Sequence, residues 1–165
     1  MIIVTDSREQ LPYTFTRFDV QVVRGTLETG DYSLAGLEHL VAIERKSIDD
    51  LVQCLTTSRA RFERELVRLR PYQLKAVIVE STLQDVARGR YRSRMEPQAA
   101  LQSVIAFQVR HCVPFVWAGN RAGGEYYTHG LLAKMAREIE KQHAFLTKGT
   151  NEKNLKVVSL VDTNN

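Results

Sequence analysis

The chain has little of what would tie it to a scaffold outside its own core. Cys54 and Cys112 are its two cysteines in 165 residues, too few and too far apart for a disulfide framework or a zinc set. They are expected as small buried side chains in a reducing compartment. The histidines at 39, 111, 129 and 143 show no metal-ligand spacing and are expected in surface or capping roles. No apolar run approaches the ~20 residues that span a bilayer. The first apolar stretch, Ile2-Ile3-Val4, meets Asp6 too early for a signal peptide. Internal repeats and low-complexity linkers are missing as well. These absences leave a soluble, intracellular chain, with no membrane association expected, long enough to bury one sizeable core.

What is present is a mild basic excess, 23 Lys plus Arg against 19 Asp plus Glu, net +4. Such a balance suits nucleic acid and many other partners. Strands are expected at Ile2 to Thr5, Asp19 to Val23, within Thr26 to Leu34, and at Leu40 to Arg45, read as an antiparallel meander. Ser47 with Asp50 forms a capping signature, and the helix it opens breaks near Thr56-Thr57-Ser58 and closes at Pro71. Leu74 to Glu80 lacks alternation and reads as a central strand. Ser81 to Gln84 caps a short helix ending by Gly89. Pro97 opens a helix to about His111, Phe115 to Ala118 is a last strand with Trp117 in the core, and Glu125 to His143 a last helix. Residues 146–165 read as a polar tail, with a possible edge strand at Lys156 to Val161. Strands first, then alternating helix and strand, imply an α/β domain over residues 1–145, with a central mixed sheet flanked by helices.

One stretch does not behave like a solvated sheet edge. Val41-Ala-Ile-Glu-Arg-Lys-Ser47 runs from apolar residues into three consecutive charges. Glu44 and Lys46, two apart, project from the same side of a strand. If the strand after Asp31 pairs antiparallel with this one, Asp31 comes beside Glu44. Hard divalent cations such as magnesium take one or two carboxylates, with waters and substrate phosphate completing the shell. Lys46 would then stand where water attacks phosphorus, either activating that water or stabilising the developing charge. A cross-strand ion pair on a solvated face is the competing explanation.

Gly30-Asp31, followed by Glu44-Arg45-Lys46 and by Asp50 after three more residues, resembles the G-D … E-R-K-x-x-x-D signature of the XPF-type structure-specific endonucleases. Asp6-Ser7-Arg8-Glu9 is similar to the D-x-R-E element on that family's first strand. The resemblance covers residues 1 to about 140. It implies a restriction-endonuclease-like core of the PD-(D/E)XK type that hydrolyses phosphodiesters with Mg²⁺ or Mn²⁺ and leaves 5′-phosphates. Carried over by position, Asp6, Asp31 and Glu44 are the expected metal-site acids and Lys46 the catalytic lysine. Arg45 matches the family arginine, whose fork would hold the scissile phosphate. Arg8 and Glu9 would support the site, and Asp50 would be catalytic, a helix cap, or both.

DNA is the implied partner, branched, forked or flapped, in repair, recombination or replication, and so in the cytoplasm with the nucleoid or in a nucleus. Arg61, Arg64 and Arg68 recur on one helix face. Arg88, Arg90, Arg92 and Arg94 alternate in an acid-free loop, where Tyr91 would stack on an unpaired base. Both sets are candidate DNA contacts. Members of the family usually carry a helix-hairpin-helix module, for which the chain has no room. A homodimer or a separate DNA-binding partner is expected instead, with Phe115 to Trp117 and Leu131, Leu132, Met135 and Ile139 as a candidate interface or as packing onto the protein's own sheet. Two other readings are a catalytically silent pairing partner, against which the intact acids and lysine speak, and a sequence-specific restriction-type nuclease.

Overall fold

The computed structural model describes residues 1–161, with side chains to residue 147. Its elements run β1 (Ile2–Asp6), β2 (Gln21–Gly25), β3 (Tyr32–Leu34), β4 (Val41–Lys46), α1 (Ile48–Leu55), α2 (Arg59–Leu69), β5 (Leu74–Val79), α3 (Leu83–Ala87), α4 (Pro97–His111), β6 (Phe115–Trp117) and α5 (Arg121–Val161). The six strands form one mixed sheet in the order β2-β1-β3-β4-β5-β6. The chain divides into two compact units, Met1–Leu132 and Ala133–Asn165. The first carries the sheet and α1 to α4, and the second continues α5.

The first four strands are not a simple meander. β3 pairs antiparallel with both β1 and β4, but β2 lies parallel to β1 on its other side. A parallel pair needs a crossover of about a dozen residues or more, and residues 7–20 supply it. That crossover covers one face of the sheet with aromatic rings: Tyr13 stacks on Tyr32 at 5.0 Å and Phe15 meets Tyr32 edge-on at 5.7 Å. The opposite face carries the main core, in which Ala42, Val77 and Val79 from β4 and β5 pack with Leu51, Phe62, Leu66 and Phe107 of α1, α2 and α4.

Alternation along β4 therefore sorts its side chains. Ala42, Glu44 and Lys46 face α1 and α2, whereas Ile43 and Arg45 face the aromatic crossover; Arg45 lies 5.6 Å from the Tyr13 ring centre. Beyond β4, Ser47 caps α1 by accepting from the Asp50 amide at 3.2 Å. The expected break separates α1 from α2. The next cap is Thr82 rather than Ser81, in a reciprocal capping box with Asp85. At the end of the chain α5 continues through residues 156–161, where an edge strand was expected. A strand there needs a partner edge for its backbone groups, which a helix satisfies internally, and none of the six strands pairs with it. Residues 162–165 of the polar tail lie outside the described residues. No described helix is long and apolar enough to cross a membrane.

Candidate active site

Asp31 sits where three strands meet. Its amide donates to the Ile43 carbonyl and its own carbonyl accepts from the Asp6 amide, both at 2.8 Å, so the backbone pins it between β1 and β4. Gly30 makes this approach possible. It has φ +83°, and a Cβ there would stand 3.1 Å from the Ile43 carbonyl oxygen, a conformation and a clearance that suit glycine alone. The Asp31 carboxylate accepts from the Arg45 amide at 2.7 Å.

Glu44 comes up beside it, 3% exposed, and pairs with the Lys46 ammonium on the same face of β4. Burial drives Asp31 up to about 6, against the pull of the Arg45 amide and Lys46. Burial and then the Asp31 charge push Glu44 well above the usual carboxylate range. For Lys46, burial works against the charge, but Glu44 and then Glu65 hold the amine above its ordinary value. In this metal-free arrangement Lys46 is thus held as an ammonium, fitted to stabilise negative charge.

These groups open into a cleft of about 720 Å³, lined also by Arg8, Glu9, Asp50, Arg61, Glu65 and Arg68. Its acid, base and arginine content sets it apart from the mostly apolar clefts of that size that take small molecules. Among the described residues no three His, Cys, Asp or Glu side chains gather as a metal cage. Magnesium, however, needs only one or two protein carboxylates, and the buried Glu44 beside the half-buried Asp31, both raised by desolvation, are a donor pair that a hard cation relieves.

The model of the ERCC4 domain family matches residues 5–129. The chain belongs to the ERCC4 domain family. In fold it is similar to XPF from Aeropyrum pernix, at 23% identity and a TM-score of 0.66 over 88% of this chain and 70% of that one. It is also similar to XPF from Aeropyrum pernix in complex with DNA, at 23% identity and a TM-score of 0.65 over 83% and 66%. No curated protein matches. The ERCC4 domain and the mixed α/β fold shared with XPF from Aeropyrum pernix agree with the family and the fold class implied by the motifs.

Within this ERCC4 domain the expected site residues separate. Asp31, Glu44 and Lys46 converge on the cleft. Asp6 borders it, but its carboxylate is taken up by four donors: the Arg8 amide, both arms of the Arg8 guanidinium, and the Leu27 amide, at 2.8 to 3.0 Å. The Arg8 fork, against the cost of burial and with the Leu27 amide, draws Asp6 down to about 2. That geometry clamps the end of β1 and occupies the Asp6 carboxylate in this metal-free arrangement.

Arg45 lines the same cleft as Asp31, Glu44 and Lys46. Its fork meets Glu80 at 2.7 and 2.9 Å, with Glu9 at 3.4 Å. Asp50 is exposed and accepts from the Ser47 hydroxyl at 2.6 Å, which is the capping half of its expected role. It also borders the cleft.

Helix α2 presents Arg61, Glu65 and Arg68 to the cleft, whereas Arg64 is exposed elsewhere and does not line it. Glu65 and Glu80 are not among the site residues expected from the sequence; an acid at a helical i, i+4 position between two cleft arginines is a signal that points to Glu65. The 88–94 loop is tied down beside α1. The Arg92 amide donates to Asp49 at 2.8 Å, Arg90 pairs with Asp85 at 2.9 Å, and Tyr91 donates to the Met95 carbonyl at 2.7 Å. Tyr91 packs against the core, so its ring is not free as a stacking platform. Arg88, Arg90, Arg92 and Arg94 remain exposed. A second recess bounded by Asp49, Arg92 and Ser93 shares Asp50 and Gln53 with the main cleft, which links the loop to the acids along α1.

Proposed function

We propose that the protein is a DNA endonuclease dependent on Mg²⁺ or Mn²⁺, with Asp31 and Glu44 as its metal-holding carboxylates. The observation that carries this is the convergence of the buried Glu44, the half-buried Asp31 and one charged lysine at the head of a cleft walled by Arg61 and Arg68. When bound, a divalent cation there supplies Lewis-acid stabilisation of the reacting phosphate oxygens and a more acidic water. The chain's own residues do the rest. Asp31 and Glu44 hold their oxygens in register because β3 and β4 are hydrogen-bonded through Gly30-Asp31. Lys46, kept protonated, stands over the cleft and stabilises charge developing on phosphorus-bound oxygen. Arg61 and Arg68 neutralise neighbouring phosphates, and Arg88, Arg90, Arg92 and Arg94 extend the basic track past α1. Water attacks in line and the bond to the 3′ oxygen breaks, which leaves a 5′-phosphate.

Branched, forked or flapped DNA is the substrate class supported by family membership. A homodimer, or a separate DNA-binding subunit, would supply the duplex grip that one cleft of this size does not provide. The reading is tested with end-labelled duplex, flap, fork and four-way junction DNA incubated with Mg²⁺ or Mn²⁺. Cutting confined to branched substrates near the branch is expected. Discrete cutting of linear duplex at fixed sequences would favour a restriction-type enzyme instead, and binding without cutting under either metal would favour a silent partner.

A further inference from the structure

The geometry points to Glu65 as the positioning residue that holds Lys46 over the cleft, an inference that rests on the nuclease reading above. Lys46 reaches from β4 toward α2, its ammonium 5.5 Å from the Phe62 ring centre. Three residues on, the same face of α2 brings the Glu65 carboxylate to 4.0 Å from that ammonium. Lys46 therefore has an acid on either side, Glu44 from its own strand and Glu65 from the helix.

The two acids are not equivalent. Glu44 is fully enclosed and belongs to the pair that would hold a cation, so its charge is shared once the cation is present, and the cation itself repels the ammonium. Glu65 is on the cleft wall with its side chain 21% exposed, outside the pair that would hold the cation. Its neighbours on that wall, Arg61 and Arg68, suit a phosphate-bearing strand, whereas an acid between them repels one. An acid that weakens substrate binding where substrate must lie is accounted for by what it holds, and the group within its reach is Lys46.

The test compares wild type with Glu65→Gln and Glu65→Asp. Lys46 is labelled with trace acetic anhydride and read by peptide mass spectrometry, with and without Ca²⁺ as a non-hydrolysing stand-in. Mn²⁺ binding is followed by electron paramagnetic resonance, DNA binding without metal by fluorescence anisotropy, and cleavage with Mg²⁺ in single turnover. In Glu65→Gln, Lys46 labelling rises several-fold with Ca²⁺ and little without it. Mn²⁺ affinity stays within about threefold, DNA without metal binds at least as tightly, and the maximal single-turnover cleavage rate falls 30- to 100-fold without a rise in the enzyme concentration that gives half that rate. Glu65→Asp regains part of the rate. Unchanged labelling and cleavage would overturn the inference. So would a tenfold loss of Mn²⁺ affinity, which would make Glu65 a metal ligand, or a shared loss of thermal stability that lowers every readout together. A wild type that cuts no DNA would sink the nuclease reading alone, because the labelling still tests the Glu65–Lys46 pair.

Discussion

Asp6 and Asp31 are aspartates at neighbouring strand ends, the first buried and the second half-buried, and their surroundings drive them in opposite directions. Asp31 is raised to about 6, so in the metal-free protein its contribution favours the fold below the unfolded value near 3.8 and is lost as pH climbs through about 6. Asp31→Asn removes that penalty while keeping an acceptor for the Arg45 amide. It is expected to stabilise the metal-free fold by about 1–2 kcal/mol at pH 7.5 and to leave it unchanged near pH 4, as thermal melts at the two pH values will show. Asp6 is lowered to about 2, so its contribution is present above the unfolded value and is lost as pH falls toward 2. Asp6→Ala strands the Leu27 amide and the Arg8 fork, and should cost about 2–3 kcal/mol by urea unfolding. Similar stability of wild type and Asp6→Ala would mean that the clamp does not hold β1. Neither contrast is readable from Asp-x-Arg-Glu or Gly-Asp. The sequence shows an acid beside an arginine but not which lone pairs the arginine occupies.

At the scale of elements, β4 is the piece that joins fold to site. Its period of two separates Glu44 and Lys46 from Arg45, and that separation was legible in the sequence because strand geometry alone determines it. The destination of Arg45 was not, since Glu80 lies at the end of β5, 35 positions later. The pair staples β4 to β5 with side chains 12% and 8% exposed. Breaking such a buried pair costs about 3–5 kcal/mol, and Lys does not reproduce the two-pronged contact. Arg45→Lys should therefore lower stability by at least about 2 kcal/mol. The double change Arg45→Met with Glu80→Met should lose less than the sum of the single changes. Strictly additive losses would show that the pair does not form. The same limit of local reading accounts for the other departures. The α1–α2 break and both ends of α4 followed from caps and proline. The parallel placement of β2 depends on a long crossover, and the helical end of α5 competes with a strand pattern that no neighbouring edge supports.

At the scale of the whole molecule, the net charge of +4 matters less than its placement. Arg61 and Arg68 line the cleft and Arg64 does not, although all three recur at helical spacing. The rotation of α2 about its axis, set by Phe62, Leu66 and Leu69 in the core, decides which arginines line the cleft. Arg61→Ala and Arg68→Ala should each weaken binding across sequences and reduce the slope of log affinity against log salt by about 1, with Arg64→Ala close to wild type. Anisotropy titrations at several salt concentrations check this. Equal effects from all three would mean that DNA follows the outer face of α2 and not the cleft.

The central claim is that Asp31, Glu44 and Lys46 form one metal-dependent catalytic centre. The most direct measurement is the single-turnover cleavage rate of a labelled branched substrate in Mn²⁺, for wild type beside Asp31→Asn, with circular dichroism establishing that both are folded. The account predicts cutting by the wild type and a loss of about a thousandfold or more in Asp31→Asn, of the order seen when transition-state stabilisation is removed from a catalytic site. Cleavage by folded Asp31→Asn at the wild-type rate would contradict it.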